Sequence, residues 1–215
     1  MNHPTPGPIS KADAAARQLD TAIDLYFTNA DPLPVYTLAY ASFKVLFDIY
    51  PHHRNDGFAS QLDELLAREG WKKMSRPANF LKHADRDPAA LLDVHAPEQG
   101  MGLIVLATLL YRRIAGDFSA KMRAFDSWLE ATAQEELGIE EVDENSERAE
   151  QFRLQREAIR AMTHDQKMLL AQQHYHFFLT NFERIQALTA EEKAAGRSIT
   201  ELLDKHLPNG ASSAD

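Results

Sequence analysis

Nearly every residue from Val35 to Tyr50 is apolar or small, and Tyr36, Tyr40, Phe43, Phe47 and Tyr50 recur within that run at spacings of four and three. Those spacings place the aromatics on one side of a helix, while Leu38, Val45, Leu46 and Ile49 fill another. A helix with so little polar surface has to be surrounded by others, which commits the chain to several packed helices. The aromatic stripe is read as core packing rather than as the lining of a ligand pocket. Ala and Leu supply 56 of the 215 residues against 14 for Val and Ile, an imbalance that favours helix over strand throughout. The expectation is an all-α, multi-helix bundle with a buried central helix and a long C-terminal helix.

The punctuation of the sequence divides the chain. MNHPTPGPI reads as a disordered arm over residues 1–9, lacking the basic start and apolar run of a secretory signal. A bundle core is expected over 10–134. Its first helix is capped by Ser10, with Leu19, Ala22, Ile23 and Tyr26 on one face, and its second is capped by Asp31 with Pro32 in the first turn. Pro51 to Gly57 reads as a loop. A short amphipathic helix should stop at Gly70, and another should span Pro77 to about Ala84 before Asp87-Pro88. Pro97 opens the segment to about Ile114 whose apolar stretch, Met101 to Tyr111, is about half of the roughly 20 residues a membrane span requires. That segment is therefore expected as a buried core helix. No membrane partner follows, and a cytoplasmic location is expected. Gly116-Asp117 separates it from a helix bearing Phe118, Met122, Phe125, Trp128 and Leu129.

Residues 135–150 hold eight acidic side chains and one arginine and read as an acidic linker. Beyond it, over 151–207, C-terminal helices are expected to pack on the core or on a second subunit. Thr163 and Gln166 form a capping box, followed by Met168, Ala171, Tyr175, Phe178, Phe182 and Ile185 at 3/4 spacing, a seam over 168–185 that needs a partner helix and offers a protein interface. Ser198 caps a last short helix, and 208–215 is a tail.

Much chemistry is excluded. Without cysteine the chain has no disulfides, thiolate nucleophiles or thiolate-held metals. There is no Gly-x-Ser-x-Gly, no P-loop, no His-Glu-x-x-His and no Glu-x-x-His. His164-Asp165, the adjacent pair of helical metal phosphohydrolases, falls in a first turn where Asp165 suits the helix dipole. His174 and His176 point to different sides of their helix, so one should flank the seam and the other face water. No cofactor and no metal is expected. A set comprising His83, Asp85, Asp87 and His95 would straddle the turn at Pro88 and ranks last.

The formal charge of −9 argues against a surface that coats nucleic acid. Yet five basic residues and one aspartate lie between Lys72 and Arg86, a +4 island in an acidic chain. Within it Arg76, Asn79 and His83 fall on one helical stripe if the helix reaches back to Arg76. Arg76 offers a charged fork for a phosphate, Asn79 an orienting amide and His83 a proton carrier near neutral pH, which makes these three the candidate catalytic residues. Lys82, Arg86, Asp85 and Asp87 are the candidate ligand-binding residues. The competing reading is a solvated helix face whose Asn79 and His83 tie down a loop.

Asn79-Phe-Leu-Lys-His83 resembles the Arg-Asn-x-x-x-His motif of HEPN-domain proteins, and Arg76 and His83 resemble its more general form, Arg and His separated by four to six residues. Ala78 stands where that arginine often precedes the asparagine. The resemblance implies an antiparallel helical bundle, commonly a homodimer, whose active members cleave RNA without metal through Arg and His from both subunits. His83 would then help deprotonate a 2′-hydroxyl or protonate the leaving oxygen, yielding a cyclic phosphate, with RNA or a nucleotide phosphate as partner. The alternative is a non-enzymatic interaction or oligomerisation protein using the same patch to dock an acidic partner.

Overall fold

A computed structural model describes residues 7–83, 85–93, 97–133, 153–154 and 157–195. The expected linker 135–150, His95, the helix after Ser198 and the tail lie outside the described residues, as does most of the N-terminal arm. Among the described residues all regular structure is helical: α1 (Lys11–Phe27), α2 (Pro32–His53), α3 (Phe58–Lys82), α4 (Pro97–Ala115), α5 (Ala120–Ala133), α6 (His164–Thr180) and α7 (Phe182–Ala195), with further helical residues at 153–154 and 157–161. None of these helices is long and apolar enough to cross a membrane.

The caps form where the sequence places them. Ser10 accepts the Asp13 amide, Asp31 accepts the Leu33 amide, and Thr163 and Gln166 complete the reciprocal capping box. Between α1 and α2 the chain reverses through Asn29 at φ 53°, a left-handed position that asparagine tolerates better than most residues.

The helix at the centre is α2, which packs on α1, α3 and α4. It buries Val35, Tyr36, Ala39, Tyr40, Ser42, Phe43, Leu46 and Tyr50, so the aromatic stripe is core. Each large side chain so buried contributes about 1.5–3 kcal/mol. The polar exception is satisfied: Ser42 donates to the Ala15 carbonyl of α1 at 2.9 Å. α4 buries Leu103, Ile104, Ala107 and Leu110 but exposes Leu109, and is thus amphipathic rather than surrounded. Gly100 explains how closely α4 crosses α2, because a methyl group there would sit 3.1 Å from Val35 Cγ1.

Several boundaries differ from expectation. α2 continues through Pro51 to His53, since proline forfeits one amide donor but the last turn is closed by Arg54 donating to the Tyr50 carbonyl. His52 and His53 are exposed as expected, but on a helix end rather than in a loop. Gly70 does not end its helix. The break falls earlier, at Ala67 (φ 47°, ψ 179°), and the chain resumes helical geometry through a buried Pro77 as far as Lys82. Trp71 bridges this kink, its indole Nε1 donating to Asp63 at 2.6 Å.

The long C-terminal helix is instead two, α6 and α7, parted at Asn181. Asn181 donates its side-chain amide back to the Phe177 carbonyl at 2.8 Å, the local competition by which short polar side chains interrupt helices. The seam also finds its partners within the chain. Ala171 and Tyr175 are buried in the common core, and α6 packs on α5 and α1. His174 lies 5.6 Å from the Trp128 ring while His176 is exposed, the division the sequence predicts.

A candidate anion-binding face on the third helix

α2 fixes the second half of α3. The Tyr36 hydroxyl donates to the Met74 carbonyl at 3.1 Å, and Trp71 stacks on Phe43 at 5.7 Å and meets Phe47 edge-on at 4.9 Å. Burial pushes the Tyr36 hydroxyl up to about 12, so it remains a donor throughout the physiological range. With Pro77 buried against the body, the opposite side of α3 turns outward. Lys72, Arg76, Asn79 and His83 succeed each other at intervals of four, three and four on that side, a stripe about 16 Å long. Lys72, Arg76 and Asn79 are exposed and His83 is half-buried. The helix therefore does reach back to Arg76, and the three candidate catalytic residues do share a face.

The chemistry along this stripe is uneven. Arg76 pairs with Asp93 at 3.0 Å, but both side chains are more than half exposed, 58% and 86%, so water competes for the pair and the guanidinium can leave it cheaply. His83 is the C-cap of α3: its amide donates to the Asn79 carbonyl at 3.0 Å, and its own carbonyl accepts from Arg86 at 2.9 Å. The link between Asn79 and His83 is thus between backbones. No side-chain hydrogen bond or ion pair holds Asn79, His83 or Lys82 among the described residues. Asp85, Arg86 and Asp87 follow in the exposed turn, and no group of three metal-ligating side chains occurs among the described residues.

Beside the stripe runs an open groove of about 450 Å³ between α2 and α3. Ala41 and Val45 line it from α2, Ala78 and Leu81 from α3, and Lys44 and Lys82 supply its only charges. Thr37 and Tyr40 complete its lining. Lys44 also pairs with Asp48 and lies 6.0 Å from the centre of the Trp71 ring. A smaller recess of about 200 Å³ lies at the α1–α2 turn between Tyr26, Asp31 and Met168. Arg76, Asn79 and His83 line neither of these hollows.

The sequence singled out Arg76, Asn79, Lys82 and His83 but missed Asp93, the partner of Arg76, and the whole α2 wall of the groove. No family model matches the chain, and the comparisons with curated proteins and with solved structures found no match.

Proposed function

We propose that the protein binds RNA through the exposed basic stripe of α3, engaging phosphates with Lys72, Arg76 and Lys82. The observation that carries this reading is the placement of Lys72, Arg76 and Lys82 on the exposed part of α3, around Asn79, with Tyr36 and Trp71 packed against the body beneath. Arginine and lysine suit phosphate as bidentate fork and point charge respectively, and Asn79 between them adds neutral donors. The exposed setting, with Arg76, Asn79 and His83 outside both hollows, favours binding over catalysis by a single chain, because acid–base chemistry profits from a water-poor cleft.

One feature favours a second reading. Arg76 and His83 lie on one helical face, the arrangement that the HEPN resemblance implies, and two copies joined along α3 would place two such pairs opposite each other.

The test is an anisotropy titration of the full chain with a labelled oligouridylate of about a dozen nucleotides in EDTA, with the mixtures then run on a denaturing gel. Binding should weaken at least tenfold in the Lys72→Glu/Arg76→Glu/Lys82→Glu variant, and log K should fall with log salt by about 0.7 per phosphate contacted. Affinity indifferent to that charge reversal, or no binding at low salt, overturns the proposal in favour of a non-enzymatic protein-docking role. Cleavage that persists in EDTA and disappears in His83→Ala decides for the second reading.

A further inference from the structure

Lys82 belongs to two surfaces at once. It stands three residues from Asn79 of the stripe, and it also lines the groove between α2 and α3. The groove is apolar for most of its lining. Its room comes from Ala41 and Ala78, the smallest side chains in it, which stand on the two different helices, with Val45 and Leu81 beside them. Thr37 and Tyr40 also line it, the Thr37 hydroxyl donating to the Leu33 carbonyl at 2.8 Å; both charged residues of the lining are lysines, Lys44 paired with Asp48 and Lys82 with no side-chain partner among the described residues. The groove therefore suits a group with flat apolar faces and an anion attached close by. An amphipathic helix would want a longer furrow with large hydrophobic walls; a short apolar groove with Tyr40 in its lining and Lys82 at its edge matches one nucleotide.

We propose that this groove takes one unstacked base of single-stranded RNA while the flanking phosphates run along Lys82, Arg76 and Lys72, an inference that rests on the phosphate-binding reading of the stripe. The base enters between Ala41 and Ala78, and Lys82 meets its own phosphate while Lys44 stays paired with Asp48. A duplex keeps its bases stacked and paired, so its phosphates can meet the stripe but no base can leave the stack to fill the groove. The protein accordingly selects single strands.

The experiment compares three labelled probes on the full chain in EDTA: an oligouridylate, an abasic ribose-phosphate oligomer of equal length and charge, and an RNA duplex of that length. The oligouridylate should bind roughly fivefold tighter than the abasic oligomer, the low end of what a base gains on an aromatic ring, Tyr40 being the one ring in the lining. Ala41→Leu and Ala78→Leu, whose fold is checked by circular dichroism and thermal melting, should abolish that preference and leave abasic binding unchanged. Independently of any variant, a 4-thiouridine oligomer should photocrosslink to the native chain at Leu81 or Lys82. Equal affinity for uridylate and abasic probes, or crosslinks confined to other helices, overturns the groove proposal while leaving the stripe reading intact. Failure of all three probes to bind overturns the stripe reading as well.

Discussion

The Tyr175 hydroxyl donates to an Asp24 carboxylate oxygen at 2.5 Å, joining α6 to α1 across 151 residues of sequence. The Tyr175 ring stacks on Phe27 at 4.3 Å, while Lys121 of α5 pairs with the other Asp24 oxygen. Three helices thus converge on one carboxylate. Burial raises the Tyr175 hydroxyl well above its usual range, with the neighbouring carboxylate acting in the same direction, so the group remains a donor.

Tyr175→Phe keeps the stacking and removes only the donor. Because the acceptor is charged, the expected loss is about 1.5–3 kcal/mol, read as a lower urea midpoint. Tyr175→Ala should lose more, since it also empties the space over Phe27. A Tyr175→Phe variant with an unchanged midpoint would mean that Lys121 alone satisfies Asp24.

A second carboxylate sets an acid limit on stability. Asp56 accepts from the Phe58 amide at 3.1 Å, the Tyr50 hydroxyl at 2.8 Å and the Arg113 guanidinium at 3.0 Å. These donors, the backbone amide foremost, hold the Asp56 carboxyl below its usual value of 3.8. A folded-state value below the unfolded one means stability that is fully present above the ordinary carboxylate range and is lost as pH falls through the folded value. Asp56→Asn should therefore be less stable than the native chain at neutral pH and show a flatter decline under acid, measured by urea midpoints from neutral pH downward.

His174 works in a higher window. Burial holds the imidazole below its ordinary value of 6.5, and the opposing influence is a hydrogen bond to the Ala124 backbone. Its Nε2 is buried without a hydrogen-bond partner among the described residues. Protonation is thus easier in the unfolded chain, so stability should fall as pH drops from about 6.5 toward the folded value and level off below it. Trp128, 5.6 Å away, reports the change: in a Trp71→Phe background the fluorescence of the folded chain should titrate at the lowered folded-state value, below 6.5, and His174→Gln should abolish the titration.

Asp93→Asn should release Arg76 from its pair and raise oligouridylate affinity about two- to threefold at low salt. Anisotropy checks this, and a fall in affinity would show that Asp93 holds the guanidinium in its binding position rather than competing for it.

At Ala67 the backbone adopts φ 47° and ψ 179°, a region that glycine enters far more readily than alanine. Ala67→Gly should stabilise the protein by about 1 kcal/mol, seen as a rise in melting temperature.

What the sequence revealed about this fold follows the range of the forces involved. Ser10, Asp31 and the Thr163/Gln166 box act within four residues, and each is found where its spacing implies. The aromatic stripe of α2 announced a central helix because nothing in it could face water. The breaks were harder to read. Gly70 and Pro77 are nominal helix breakers, yet Trp71 against Phe43 and the buried Pro77 ring hold the chain helical through both, so tertiary packing outweighed local preference. Conversely, no residue type at Ala67 or Asn181 marks a certain end.

The stripe of Arg76, Asn79 and His83 was legible from spacing alone. Its surroundings were not, because Asp93 and the α2 wall reach it through the tertiary fold. Lys44 and Asp48, the only charged residues between Val35 and Tyr50, were the available signal that one side of α2 meets solvent.

Among the helices, α3 leans chiefly on α2, whereas α1, α2 and α4 brace one another. Amide exchange should therefore resolve two cooperative units, with α3 opening at a lower free energy than the α1–α2–α4 body. A ligand that engages α3 would then act as a clasp, slowing exchange in α3 first while the rest of the molecule exchanges as before.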